Sequence, residues 1–439
     1  MSTAFRGAPS SGAPPTPSVS PEPRDTTPSP PPAGASTAEL IATGRRRLLA
    51  NYRQAPFVLA RGKGCELFDT DGRRYLDMCA GVAVASLGHA HPRLTAAIAE
   101  QAGKLMHVSN YFFNEENIRL ADELCSRTGF DRAFFCNSGA EAVEALIKLA
   151  RRHFHARGEA GRTRFVAFDQ SFHGRSMGTV SLTGNPKYHV GFGPMMPGVT
   201  HVPYGDLDAV RAAMGSDVAA VLVEPVQGEG GVVPAPPGFL AALRALCDEH
   251  GSLFLIDEVQ TGMGRTGRLL GADHDGVQAD AIALAKGLGG GFPIGAMLVR
   301  EAFAGALPPG SHGSTFGGNA LASVAARTVL AVMEEDHLVE EAARHGEYLG
   351  HCLTALSAKH PKLCAGERGR GLLRGIRLAS GTDPRKLLEA VRDAGVLLTI
   401  AGSDILRFSP PLIVREAEID EAVAAVDAAL GRTAVAGAS

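Results

Sequence analysis

Residues 252–257 read SLFLID and residues 280–286 read DAIALAK, and these two runs decide the fold. Each is short, rich in branched or small apolar residues, and lacks the polar alternation of a half-exposed strand. That is the pattern of a strand covered on both faces. The same pattern occurs at RAFFC (132–136), FVAF (165–168) and AAVLVE (219–224). Helical stretches separate these runs. EAVEALIKLARRHF (141–154) is one, and PPGFLAALRALCDEHG (236–251) is another, with Pro237 near the first helical position and Gly251 just past the end. Strands alternating with helices predict an α/β fold built on a mostly parallel sheet with crossovers.

Working outward, RGKGCELFDTDGRRYLDM (61–78) reads as a hairpin turning at Asp71-Gly72. A helix is expected after His91-Pro92, with Leu94, Ile98 and Leu105 on one face. Beyond about residue 325 the pattern becomes helix-rich, with strands near 371–378 and 396–408, which predicts a smaller α+β domain. The expected division is a Pro-rich tail over 1–36, an N-terminal segment over 37–90 that packs with the small domain, a large domain over 91–325 and a small domain over 326–432.

The tail stands apart by composition. It holds ten of the 27 prolines and few large apolar residues, so it cannot bury enough surface to offset its ordering entropy. It lacks the arginine content and amphipathic helix of a transit peptide, and the apolar core of a secretory signal. The remainder is globular in character, with 45% hydrophobic and 20% charged residues. The 43 basic and 46 acidic residues are interspersed, which leaves no electrostatic footprint for nucleic acid or an anionic membrane. No run approaches the roughly 18 apolar residues of a spanning helix. Seven cysteines without a CxxC pair argue against a disulfide scaffold and a zinc ribbon. No metal site is expected, and a reducing, cytoplasmic setting fits.

The chemistry gathers at strand ends. Lys286 is the only charged residue between Ala281 and Val299, and glycines follow it. Desolvation lowers the pKa of such an amine and makes it a nucleophile for carbonyls, although a lone lysine can also simply snorkel to water. Asp257 ends the strand before it, where a carboxylate needs a partner. Strand C-termini in a parallel sheet share one edge, where ligands bind. A carboxylate and a desolvated lysine on that edge suit pyridoxal phosphate: the lysine holds the aldehyde covalently and the carboxylate keeps the pyridine nitrogen protonated. Asn137-Ser138-Gly139-Ala140 lies at a helix N-terminus, a natural phosphate cradle. In SFHGR (171–175), Phe172 can stack on a flat ring and Arg175 can clamp a carboxylate. One competing pattern is GMGRTG (262–267), which fits the dinucleotide fingerprint GxGxxG. A nicotinamide-dependent dehydrogenase needs a helix starting there, and RLLGADHDGVQ is a poor one.

The motifs FFCNSGAEA, SFHGR, VEPVQGEGGV, LIDEVQTGMGRTG, ALAKGLGGGFPIGAM, HGSTFGGN and LRFSPPLI stand in the order seen in class III aminotransferases, and the chain resembles that family from about residue 40 to 430. AGVAVASLGHAHP (80–92), HVSNYFFNE (107–115) and LTGNPKY (182–188) most resemble the members that act on acetylornithine. The resemblance implies a fold-type I enzyme, a homodimer with shared active sites. It would move the terminal amino group of N2-acetyl-L-ornithine to 2-oxoglutarate, a step of arginine biosynthesis. Ornithine, succinylornithine, succinyldiaminopimelate and 4-aminobutyrate are the alternative donors. By resemblance, Lys286 would carry the cofactor and shuttle a proton, and Asp257 would face the pyridine nitrogen. Val259 and Phe172 would flank the ring, and Gln260 would approach its hydroxyl. Ser138, Gly139 and Ala140 would bind phosphate, with Thr315 from the neighbouring subunit. Arg175 would take a substrate carboxylate beside Ser314. Glu229 would mask Arg407 for one donor and free it for glutamate. Val82 stands where ornithine aminotransferases tend to carry tyrosine, which leaves room for an acyl group, whereas Tyr52 resembles an ornithine-binding tyrosine. Deleting the tail is expected to leave activity and the thermal midpoint unchanged, as measured by a turnover assay and calorimetry; a large loss of either contradicts the reading.

Overall fold

The computed structural model describes residues 34–436, so the expected tail lies outside the described residues up to position 33. The described chain falls into two units, 34–58 and 59–436. The first contains the helix Thr37–Arg47, none of whose residues is buried. Ser36, assigned to the tail by composition, is the N-cap of this helix. Its side chain accepts from the Glu39 amide while the Glu39 carboxylate accepts from the Ser36 amide, a reciprocal cap. A tail deletion that spares this cap therefore stops no later than residue 35.

The second unit is built on a seven-stranded sheet. Its strands are β1 (Arg132–Cys136), β2 (Arg164–Phe168), β3 (Val199–Val202), β4 (Val218–Val223), β5 (Leu253–Asp257), β6 (Ala281–Leu284) and β7 (Gly295–Val299). Their order is β1-β7-β6-β5-β4-β2-β3. Only β7 runs against its neighbours, and every other pairing is parallel. All residues of β4, β5, β6 and β7 are buried, which explains the unbroken apolar runs of the sequence. Helices Gly139–Ala156 and Phe239–His250 occupy the predicted stretches. Gly251 ends the latter in a left-handed conformation, as expected, but Gly238 is its N-cap with φ +76°, so Pro237 precedes the cap and is not in the first turn.

The hairpin over 61–78 is a three-stranded meander, Leu59–Lys63, Glu66–Asp69 and Arg74–Asp77. Gly64 joins the first pair, and Gly72 turns the second with φ +83°. The last of these strands pairs in parallel with Val396–Leu397 near the C-terminus. Helix Pro92–Lys104 buries Leu94 as predicted but stops one residue short of Leu105, which is extended and 41% exposed. The C-terminal part carries an antiparallel sheet in the order 364–370, 373–378, 405–408, 399–401. The glycines of 262–267 open no helix: a short turn at Gly271–His274 follows, and the dinucleotide reading loses its structural basis.

One close approach ties the first turn of helix Gly139–Ala156 to the end of β5. A Cβ on Gly139 would lie 2.6 Å from Val259 Cγ1, inside any real carbon–carbon contact. Gly139→Ala is expected to destabilise the fold by about 1–3 kcal/mol through overpacking, read from urea unfolding; an unchanged midpoint contradicts the contact.

Candidate active site

Because β1, β2, β4, β5 and β6 run in one direction, their C-terminal ends lie along one edge of the sheet. The segment after each enters the same cavity, of about 450 Å³. β1 delivers Asn137, Ser138, Gly139 and Ala140. β2 delivers Phe172, His173 and Arg175, and β4 delivers Glu224 and Glu229. From β5 come Asp257, Val259 and Gln260, and from β6 comes Lys286.

Asp257 is 4% exposed, and both of its oxygens are engaged. Oδ1 accepts from the Val259 amide at 3.0 Å, and Oδ2 lies 2.8 Å from His173 Nδ1. Burial disfavours the imidazolium of His173, but the bond to Asp257 outweighs it and raises the pKa. The His173 amide donates to Thr183 Oγ1 at 2.9 Å, which fixes the ring from behind. Lys286 is half-buried and lines the cavity. Burial pulls its pKa below the usual lysine range; Glu229 and Asp257 oppose that pull without cancelling it. Its backbone has φ +41°, a left-handed conformation sparse for a residue with a Cβ and a strain found most often at functional sites.

Two further carboxylates face this group. Burial pushes Glu224 up to about 7, and its Oε2 accepts from the Phe172 amide at 3.0 Å. Glu229 Oε1 accepts from Arg407 Nη1 at 2.5 Å. Burial works against the Glu229 anion, yet Arg407 and Lys286 hold its pKa below the ordinary value. Arg407 is 2% exposed and also donates to Thr399 Oγ1 and the Gly228 carbonyl. It comes from the C-terminal sheet, on the strand Ile405–Phe408, and bonds Glu229, which lines the cavity, without lining it itself.

The remaining sequence-predicted residues are distributed unevenly. Ser314 Oγ accepts from Asn137 Nδ2 at 3.3 Å and from the Gly317 amide, beside the turn that opens helix Gly139–Ala156. Thr315 is exposed and does not line the cavity of its own chain. Tyr52 belongs to the 34–58 unit and is 79% exposed. Val82 is half-buried, whereas Val84 lines the cavity. Both follow Asp77, whose Oδ1 accepts from the Cys79 and Ala80 amides and anchors a left-handed turn with φ +47° to +67° over 80–83. Sequence reasoning passed over His173, Glu224 and Val84. Glu224 ends AAVLVE as Asp257 ends SLFLID, so the same strand-end argument identifies it. His173 carried a signal as the one titratable residue of SFHGR without a role. Val84 carried none.

The residues fit pyridoxal phosphate. Of the first four amides of helix Gly139–Ala156, Ser138 Oγ takes Glu141 and Ser138 O takes Ala142. The amides of Gly139 and Ala140 have no partner within the helix, at the end where the helix dipole favours an anion. A carboxylate locked by two donors, an amine of lowered pKa and an aromatic side chain share the cavity with that turn.

Comparison with known proteins agrees. The model of the class-III aminotransferase family matches residues 49–430. An acetylornithine aminotransferase of Myxococcus xanthus is 50% identical over 390 residues, 88% of this chain and 96% of that protein. The crystal structure of N-acetylornithine aminotransferase from Stenotrophomonas maltophilia superposes with a TM-score of 0.78 at 37% identity, covering 90% of this chain and 100% of that one. An ornithine aminotransferase of Toxoplasma gondii, with PLP in partial occupancy at its active site, gives a TM-score of 0.86 at 35% identity, covering 90% and 94%. With its locked carboxylate and desolvated lysine beside a phosphate-ready turn, and on these likenesses, the chain belongs to the class-III aminotransferases, which depend on pyridoxal phosphate.

Proposed function

We propose that the enzyme transfers the terminal amino group of N2-acetyl-L-ornithine to 2-oxoglutarate, giving N-acetyl-L-glutamate 5-semialdehyde and L-glutamate, in the cytoplasm and as a homodimer. The observation that carries the reading is the Glu229–Arg407 pair at the cavity. The reacting carbon of acetylornithine bears no carboxylate, while that of glutamate bears one. An arginine behind a glutamate serves both: Glu229 masks its charge for the first donor and yields to the α-carboxylate of the second. Relatives that bear the acetylornithine aminotransferase name support the choice of donor.

Pyridoxal phosphate, when bound, supplies an aldehyde that carries the amino group and a ring that accepts an electron pair. The protein supplies the rest. Lys286, its charge destabilised by burial, takes a proton from the substrate carbon and returns it at the cofactor. Asp257, locked between the Val259 amide and His173, presents a fixed negative charge to the ring nitrogen. Phe172 and Val259 would flank the cofactor ring and Gln260 would lie near its hydroxyl, all three being residues of the cavity wall. Ser138, Gly139 and Ala140 hold phosphate, and Arg175 holds the distal carboxylate of either substrate with Ser314 nearby.

Two observations support a dimer. Thr315 is exposed, so a second copy is needed to bring it to a phosphate. It adjoins exposed aromatic side chains at Tyr111, Phe112, Phe113 and Phe316, and Asn110 bonds the two segments together through the carbonyls of Ser314 and Gly317. The cytoplasmic placement rests on seven cysteines that are all free. Among the described residues no helix is long and apolar enough to cross a membrane.

The donor is tested by mixing holoenzyme, without any keto acid, with N-acetylornithine, ornithine, succinylornithine or 4-aminobutyrate and timing the loss of the bound cofactor's visible absorption. The fastest loss is expected with N-acetylornithine, reversed by 2-oxoglutarate. Faster loss with an unacylated amine contradicts the donor and leaves the family intact.

A further inference from the structure

Arg175 lines the cavity, yet among the described residues it enters no salt bridge and donates no hydrogen bond. An exposed arginine without partners loses side-chain entropy when it binds, and it would be a poor anchor for a carboxylate. A neighbour outside the cavity supplies what is missing. The Arg175 guanidinium carbon lies 3.8 Å from the centre of the Tyr188 ring, and 5.6 Å from that of Phe172. The Tyr188 and Phe172 rings meet edge to face, with centres 6.0 Å apart and planes at 83°.

Tyr188 is itself firmly placed. It closes the short turn Pro186–Tyr188, whose cap is Asn185: Asn185 Oδ1 accepts from the Lys187 amide and Asn185 O accepts from the Tyr188 amide. The next residue, His189, sets Nε2 2.9 Å from the carbonyls of both Val180 and Thr183, which pins the turn to the segment after SFHGR. Lys187 Nζ lies 4.8 Å from the same tyrosine ring and adds to the positive charge around it.

We infer that Tyr188 is a positioning residue for substrate carboxylates: its ring holds the Arg175 guanidinium flat, so the N–H edge is presented ready-made to the carboxylate that donor and acceptor share. This rests on the reading of Arg175 as the carboxylate anchor and extends it to a residue that touches neither substrate nor cofactor. A stacked guanidinium keeps its in-plane donors free, which a salt bridge to a protein carboxylate would consume. A cation–π contact at an exposed arginine corresponds to about a two- to fivefold change in affinity.

The test measures KM and kcat separately for N-acetylornithine and 2-oxoglutarate in holoenzyme variants, with 1-phenylethylamine as an amine donor that carries no carboxylate. Tyr188→Leu is expected to raise KM for both carboxylated substrates about two- to fivefold, the cation–π range for an exposed arginine, with a smaller change in kcat. It should leave kcat/KM for the plain amine near the parent value. Tyr188→Phe, which keeps the ring face, should restore the parent KM. In an Arg175→Gln background, Tyr188→Leu should add nothing, since its effect passes through the arginine. If Arg175→Gln leaves KM unchanged, the anchor reading itself fails. If Arg175→Gln raises KM while Tyr188→Leu does not, only the positioning role is overturned. A loss that includes the plain amine, or a Tyr188→Phe variant as poor as Tyr188→Leu, also overturns it.

Discussion

The active site depends on the common direction of β4, β5 and β6. Parallel pairing forces their C-terminal ends onto one edge, and complete burial of the strands makes that edge a place of low polarity. Glu224, Asp257 and Lys286 stand on it because each is the first polar residue after an apolar strand. The same geometry sets their chemistry. Burial pulls the lysine down and pushes Glu224 up, while His173 is drawn up by Asp257 against its own burial.

The cavity is electrostatically divided. On one side Asp257 is held by an amide and an imidazole and has no freedom to move. On another, Glu229 is held by Arg407 alone among the basic side chains that bond it; Glu229 lies in the turn after the strand Val226–Gln227 and Arg407 on the strand Ile405–Phe408 of the C-terminal sheet. A carboxylate fixed by backbone keeps one charge constant through a reaction cycle. A carboxylate held by a side chain can exchange its partner for a substrate's. The fixed charge suits the ring of the cofactor, which is the same in both half-reactions, and the exchangeable one suits substrates that differ at the reacting carbon.

Most of this was legible in the sequence where burial and chain direction alone set the outcome. Five of the seven strands of the main sheet, and the strand-end places of Lys286 and Asp257, follow from apolar runs and what ends them. Elements that depend on one backbone angle were not legible. Gly238 takes a left-handed cap and shifts the start of its helix past Pro237, and the left-handed turn over 80–83 puts Val84, not Val82, on the cavity wall. Leu105 had the right spacing for its helix face, but the helix ends at Lys104 and a buried Gln101 caps that end, donating to the Leu105 carbonyl. Tyr188 lay inside a motif yet gave no sign of its partner, because its contact with Arg175 spans a loop and is made in three dimensions only.

The central claim is that Lys286, of all the amines in the chain, is the one that the fold prepares for the cofactor. Borohydride reduction of the holoenzyme, followed by digestion and mass spectrometry, locates the residue bonded to it. The account predicts the phosphopyridoxyl group on the peptide that contains Lys286 and on no other. Its attachment to Lys148, Lys187 or any other lysine, or a holoenzyme that yields no modified peptide, would contradict it.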